Sequence, residues 1–150
     1  MGAVTYPNTK VIEFIGNTVI PVQLQSNAEP MATDYNVKWT PNILILDADG
    51  KEHHRSIGFL PPPEMVAFVL AGIGRMHFDL DRFKDAISTF EKVISDFPYT
   101  GWAPEAVYFR GVALYKMTHE AQPLKEAYEK LQAHYHWSEW AKRAQPYWLL

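Results

Sequence analysis

The chain has 150 residues with 17 acidic and 14 basic side chains, a formal net charge of −3 and no cysteine. Hydrophobic residues make up 47% and charged residues 21%, which is typical of a folded chain that buries one core, or of a small α/β unit joined to a helical extension. The basic residues form no stripe that could follow a phosphate backbone, which argues against a nucleic-acid partner. Without cysteine, this chain can form no disulfide and perform no thiol catalysis.

The hydropathy pattern also argues against a membrane partner. No apolar run approaches the roughly 20 residues that a spanning helix needs. The first residues, Met1-Gly2-Ala3-Val4, lack a basic region followed by an apolar one, so no signal peptide is predicted. We therefore expect a cytoplasmic location.

The N-terminal half predicts an α/β unit. Short apolar runs rich in β-branched residues favour strands, and Asp47-Ala48-Asp49-Gly50 favours a hairpin turn in which glycine supplies a positive φ. Polar residues before the apolar stripes favour helix starts. The elements predicted in chain order are a short helix from about 8 to 15, a strand at 19–24, a helix after 26–27, and strands at 43–46 and 52–57.

A polar–aromatic loop, a Thr-Pro pair, an apolar strand and the hairpin turn follow one another in this half. That order resembles the second half of a thioredoxin-like domain. The resemblance implies a cis peptide bond before Pro41, and backbone groups that pair with an extended peptide by strand addition. It also implies an exposed aromatic surface at Trp39. The peptide-binding residues expected from the resemblance are Trp39, Thr40 and Pro41; the alternative is that the proline only sets the turn before the strand.

The resemblance begins within the family's first helix. In thioredoxin-like proteins a central strand and a Cys-x-x-Cys pair precede that helix, and their equivalents would lie upstream of Met1. The central strand would lie between the equivalents of residues 19–24 and 43–46. Three arrangements are therefore expected: a gap in the sheet, direct pairing of those two strands, or an edge that takes a partner.

The C-terminal half changes to a helical period after Pro61-Pro62-Pro63. The segments 97–103 and 135–141 align at an offset of 38 residues, which indicates an internal repeat. One unit resembles a tetratricopeptide repeat, with small residues such as Gly74 where two helices approach closely, and the second unit is degenerate. We predict a thioredoxin-like part at 1–62, a helix at about 63–76 shared with the next part, a helical extension at 63–150 and a capping helix at 138–145.

Two groups of polar residues could suggest chemistry. Adjacent His53 and His54 should point to opposite faces of a strand, and His134 and His136 do not face each other on a helix, so no metal site is predicted. Asp79-Leu80-Asp81 is interpreted as the start of a helix, where a carboxylate caps free amides. No catalytic residue and no cofactor are predicted.

Two functions remain open. The first is a non-catalytic thioredoxin-like protein that acts as a protein-interaction module for an unidentified protein or peptide. The second is a truncated thiol–disulfide oxidoreductase, with redox homeostasis as the parent family's role, whose first strand and cysteine pair lie upstream of Met1. A homodimer through the incomplete sheet or through the apolar C-terminus, Pro146-Tyr147-Trp148-Leu149-Leu150, is also expected.

Overall fold

A computed structural model describes residues 1–150 as a mixed α/β chain with one small sheet and mostly helices. No helix is both long enough and apolar enough to cross a membrane. The helices are α1 (Thr9–Thr18), α2 (Met31–Asp34), α3 (Pro62–Asp79), α4 (Phe83–Asp96), α5 (Ala103–Thr118), α6 (Gln122–Tyr135) and α7 (Glu139–Arg143), followed by a 3-10 helix (Gln145–Leu149); the strands are β1 (Asn42–Leu46) and β2 (Glu52–Ile57).

The sheet is a β-hairpin in which β1 and β2 pair antiparallel. The turn between them is built as the sequence predicts, because Gly50 adopts a φ of +78° and the Asp47 side chain accepts hydrogen bonds from the amides of Asp49 and Lys51. The register shifts between Ile45 and Leu46, which leaves His53 as the extra residue of a β-bulge. The predicted strands at 43–46 and 52–57 are confirmed.

The predicted strand at 19–24 is wrong. This segment belongs to no helix or strand, and it remains at the surface, with Ile20 91% and Val22 75% exposed. A strand needs a neighbour to satisfy its backbone groups, and β1 has paired with β2 only. Direct pairing of the two segments, one of the three expected arrangements, does not occur.

Helix α3 packs against the sheet. Its buried face, which includes Phe68 and Val69, packs against Ile45 of β1 and Val11 of α1. At Gly72 the helix approaches the sheet so closely that an added Cβ would lie 2.4 Å from Cγ1 of Ile45. Helix α1 begins where the sequence predicts, because the Asn8 side chain accepts hydrogen bonds from two amides of its first turn.

The four long helices form two antiparallel pairs with matching close contacts. A Cβ at Gly74 of α3 would lie 2.5 Å from the ring of Phe90 in α4, and a Cβ at Gly111 of α5 would lie 2.6 Å from Cβ of Ala127 in α6. Both members of the second contact follow the first by 37 residues. Glycine at these positions lets the helix axes come together, as the sequence predicts for Gly74.

The C-terminal segment packs back on the helices in part. The Ser138 side chain caps α7, and the Tyr147 hydroxyl lies 3.0 Å from that of Tyr108 in α5. Burial, with the Tyr108 hydrogen bond, raises the pKa of Tyr147. The side chains of Trp148 and Leu149 remain exposed. Within the apolar C-terminus, Tyr147 therefore packs against the helices, whereas Trp148 and Leu149 do not.

Candidate functional site

The residues Trp39, Thr40 and Pro41 form the loop that leads directly into β1. The Thr40–Pro41 peptide bond is cis, as the resemblance implied, and a second cis bond joins Glu29 to Pro30. The Trp39 side chain is 70% exposed. The loop thus presents an aromatic surface next to the first residue of the strand.

One edge of β1 has no partner strand. The amide of Gly58 donates to the carbonyl of Pro41 at 2.8 Å, which makes residues 41 and 58 a hydrogen-bonded pair. Because such pairs alternate in an antiparallel ladder, Ile43 and Ile45 also point their backbone groups towards β2. The N–H and C=O groups of Asn42 and Leu44 consequently point to the free edge.

A shallow cavity lies beside this loop. It has a volume of about 210 Å³, which is below the range of 300–1,000 Å³ that is usual for small-molecule sites. Such a size suits a side chain of a larger partner better than a small ligand. Ser26, which follows the exposed segment 19–24 in the chain, also lines the cavity and so lies near Thr40. The cavity is lined by Ser26, Val37, Lys38, Trp39 and Thr40.

A second candidate site is centred on His53, whose side chain is fully buried at the bulge. Nε2 of its ring lies 2.9 Å from Oδ2 of Asp47, and Nδ1 lies 2.8 Å from Oδ2 of Asp79. Burial works against the charge of the ring, but the hydrogen bonds to Asp47 and Asp79 outweigh it and raise the pKa of His53. The hydrogen bond from His53, aided by the amides of Lys51 and Asp49, lowers the pKa of Asp47.

This arrangement leaves the His53 ring no free nitrogen. A general base or a metal ligand needs an available lone pair, and both nitrogens here face a carboxylate. Within residues 1–150, no group of three or more His, Cys, Asp or Glu side chains could hold a metal ion. The geometry therefore supports an ionic link between the hairpin and α3.

The interpretation of Asp79-Leu80-Asp81 as a helix start is wrong. Asp79 is the last residue of α3, and α4 begins only at Phe83. Asp81 adopts a φ of +57° in the connection between the helices. The helical pattern continues past the predicted end of α3 because Phe78 packs into the core of the helical pairs. The Asp79 carboxylate consequently meets His53 and caps no amide.

A third polar cluster joins the sheet to the helices. Nε2 of His54 lies 3.1 Å from Oε2 of Glu105 in α5, and the Arg75 guanidinium of α3 donates to Oε1 of Glu105 at 3.3 Å. The His54 ring stacks on Phe68 and meets Trp102 edge-on, with ring centroids 5.0 and 5.1 Å away. The Glu105 side chain is only 6% exposed. Its contacts with His54 and Arg75 compensate the energetic cost of burying its carboxylate.

In a regular strand, the side chains of His53 and His54 would point to opposite faces of the sheet. In this structure they do not. His53 reaches the end of α3, and His54 reaches α5, so both contact the helical layer. The bulge changes the alternation of side chains at this point of β2. Sequence analysis missed Asp47, Asp79 and Glu105 as their partners, because nothing in the sequence reveals which distant carboxylates a bulged residue meets.

A scan against protein-family models, a search of curated proteins and a search of solved structures each found no significant match to this chain.

Proposed function

We propose that the protein is a non-catalytic, cytoplasmic interaction module with a thioredoxin-like N-terminal part and a tetratricopeptide-like helical extension. Its partner is an extended protein segment that binds at the free edge of β1. The observation that carries this proposal is the unpaired edge itself, where Asn42 and Leu44 offer backbone donors and acceptors. Extended peptides bind such edges through main-chain hydrogen bonds, and pockets beside the edge select their side chains.

The loop before β1 supplies the selectivity in this proposal. Trp39 is exposed at the start of the edge and lines the adjoining cavity. An exposed indole contributes a large apolar contact on binding, and aromatic anchors dominate the energetics of many interfaces. Ile20 and Val22 are exposed apolar residues on the segment that precedes Ser26, which lines the same cavity. A partner with alternating apolar residues fits this surface best.

The absence of cysteine within residues 1–150 supports the interaction module as the function of these residues. Disulfide exchange proceeds by attack of a thiolate, and the 150 residues contain none. The buried clusters around His53 and His54 consist of imidazole, carboxylate and guanidinium groups, none of which can form the mixed disulfide of that reaction. The interaction module is therefore the function that we propose for this chain.

The test is a selection of random eight-residue peptides displayed on phage against the full chain, followed by NMR of the labelled protein with a selected synthetic peptide. We expect the largest shifts at the amides of Asn42 and Leu44 and at the Trp39 indole. Trp39→Ala should weaken binding at least tenfold, whereas Trp137→Ala, which removes a similarly exposed indole from the helical half, should not. Shifts confined to the outer edge of β2 or to the helices would overturn the proposal, as would selection of no binding peptide.

A further inference from the structure

The two carboxylates that face His53 impose a proton requirement on the ring. Oδ2 of Asp47 lies 2.9 Å from Nε2 and Oδ2 of Asp79 lies 2.8 Å from Nδ1. A neutral imidazole has one N–H and one lone pair, whereas an imidazolium has two N–H groups. Both contacts are hydrogen bonds to ionised carboxylates only while His53 is protonated.

We propose that Asp47, His53 and Asp79 form a proton-dependent clasp, which ties the β-hairpin to the C-terminal end of α3 and opens at that helix when His53 loses a proton. The clasp goes beyond the proposed function and does not depend on it. It joins residues that are distant in sequence, since Asp79 follows His53 by 26 positions. Its opening would free the turn end of the hairpin from the helical layer.

The opening takes place at Asp79 because Asp47 is held independently. Oδ1 of Asp47 accepts hydrogen bonds from the amides of Asp49 at 3.0 Å and Lys51 at 2.9 Å. These contacts belong to the hairpin turn, and His53 lies on the same hairpin. After the loss of one proton, the remaining N–H stays on Nε2 and continues to donate to Asp47.

Asp79 has no such support. Its carboxylate makes no hydrogen bond except that with His53, and 27% of its side chain is exposed, so water can replace the imidazole. Asp79 also ends α3, where the helix dipole disfavours a negative charge unless a cation is close. Once the ring is neutral, the lone pair of Nδ1 faces this carboxylate and the contact becomes repulsive.

No other charge compensates the clasp. The charged groups that face the ring are Asp47 from the hairpin and Asp79 from α3, and neither carboxylate has a lysine or arginine partner. Loss of the proton therefore changes the net charge of the three groups from −1 to −2. The side chain of His53 is fully buried, which leaves the ring no solvent to replace the lost contact.

The clasp is tested by NMR of the ring nitrogens of His53 in the full chain between pH 5 and 9. We expect both nitrogens to carry protons at pH 6.5, and the proton that remains at high pH to sit on Nε2. Protection of the Leu80 amide, which bonds to the Met76 carbonyl at the end of α3, should fall as pH rises through the midpoint. Asp79→Asn should lower that midpoint by about 1 pH unit and remove the pH dependence of the protection.

The control is Glu139→Gln, which removes an exposed carboxylate of α7 and should leave the His53 midpoint unchanged. A neutral His53 ring at pH 6.5 would overturn the proposal, as would a high-pH proton on Nδ1 or an unchanged midpoint in Asp79→Asn. If Asp79→Asn does not fold, the proton positions in the wild-type spectrum still decide, because the clasp requires two N–H groups at pH 6.5 and Nε2–H at high pH.

Discussion

Gly72 of α3 lies directly against Ile45 of β1, at a separation that leaves no room for a side chain on the helix. A Cβ at position 72 would lie 2.4 Å from Cγ1 of Ile45 and 3.2 Å from Cβ of His54. This contact fixes how closely the hairpin sits on the helical layer. It therefore also positions His54 for its contact with Glu105.

Gly72→Ala should destabilise the protein by about 1–3 kcal/mol, which is the usual cost of overpacking a tight core. Alanine favours the helix by about 1 kcal/mol over glycine, so the steric term must exceed that gain. Gly16→Ala in α1, where an added Cβ meets nothing within 4 Å, is the control and should stabilise by about 0.5–1 kcal/mol. Urea denaturation of the three proteins measures both effects. Equal midpoints for Gly72→Ala and wild type would contradict the close packing.

Glu105→Ala should cost roughly 3–5 kcal/mol, the usual range for breaking a buried ion pair. The substitution leaves the Arg75 guanidinium and the buried His54 ring without their shared partner. Glu139→Ala is the matched control, since its pair with Arg143 is more than half exposed and should contribute less than about 1 kcal/mol. Both values come from denaturant midpoints at pH 7. A Glu105→Ala protein as stable as the control would show that the cluster is not a stabilising link.

The sequence predicts the local elements well and their partners poorly. The hairpin strands, the turn at Gly50 and the start of α1 follow from patterns within a few residues, and the structure confirms them. The strand at 19–24 has a strand-like composition but depends on a neighbour, which a local pattern cannot supply. The site residues Trp39, Thr40 and Pro41 remain predictions as binding residues, although their exposure and the cis bond fit that role.

The contacts of His53 with Asp47 and Asp79 could not be predicted from the sequence for a different reason. Alternation along a strand predicts that neighbouring side chains face opposite sides, and one bulge is enough to change that. The sequence does not predict a bulge at this position. His53 and His54 have identical side chains, so the sequence does not indicate that one of them is an extra residue in the strand. The sequence predicts a helix start at Asp79-Leu80-Asp81, because two closely spaced carboxylates are typical of a capping segment. The structure instead places Asp79 at the end of α3, where His53 provides the compensating charge.

Stability should depend on pH with a maximum in the mildly acidic range. The pKa of His53 is raised on folding, so its contribution is complete below the unfolded value of about 6.5 and is lost as pH rises through the folded value. The pKa of Asp47 is lowered, so its contribution is present above the unfolded value of about 3.9 and is lost as pH falls. We therefore expect maximal stability at about pH 5–6.

Thermal unfolding of the wild type and of His53→Gln between pH 4 and 9 measures this dependence. In His53→Gln the decline of stability above pH 6 should be smaller, because the titrating ring is gone. His136→Gln replaces an exposed histidine and serves as the control, with the wild-type profile expected. A wild-type Tm that rises between pH 6 and 8 would contradict the direction of the His53 effect.

The two halves of the chain should unfold in a single transition. Leu131 of α6 is fully buried in the helical core, and Leu131→Ala should cost about 2–5 kcal/mol because the cavity closes only in part. The sheet is tied to the helical pairs by His54–Glu105 and by the packing of α3, so a loss in α6 should also destabilise the hairpin.

Far-UV circular dichroism follows the helices and the NMR signals of the β1 amides follow the sheet. We expect the two melting curves to coincide in the wild type and to shift together in Leu131→Ala, whereas Leu149→Ala, at a 72% exposed position, should shift neither. A sheet signal that melts separately from the helices would show that residues 1–62 and 63–150 are independent folding units.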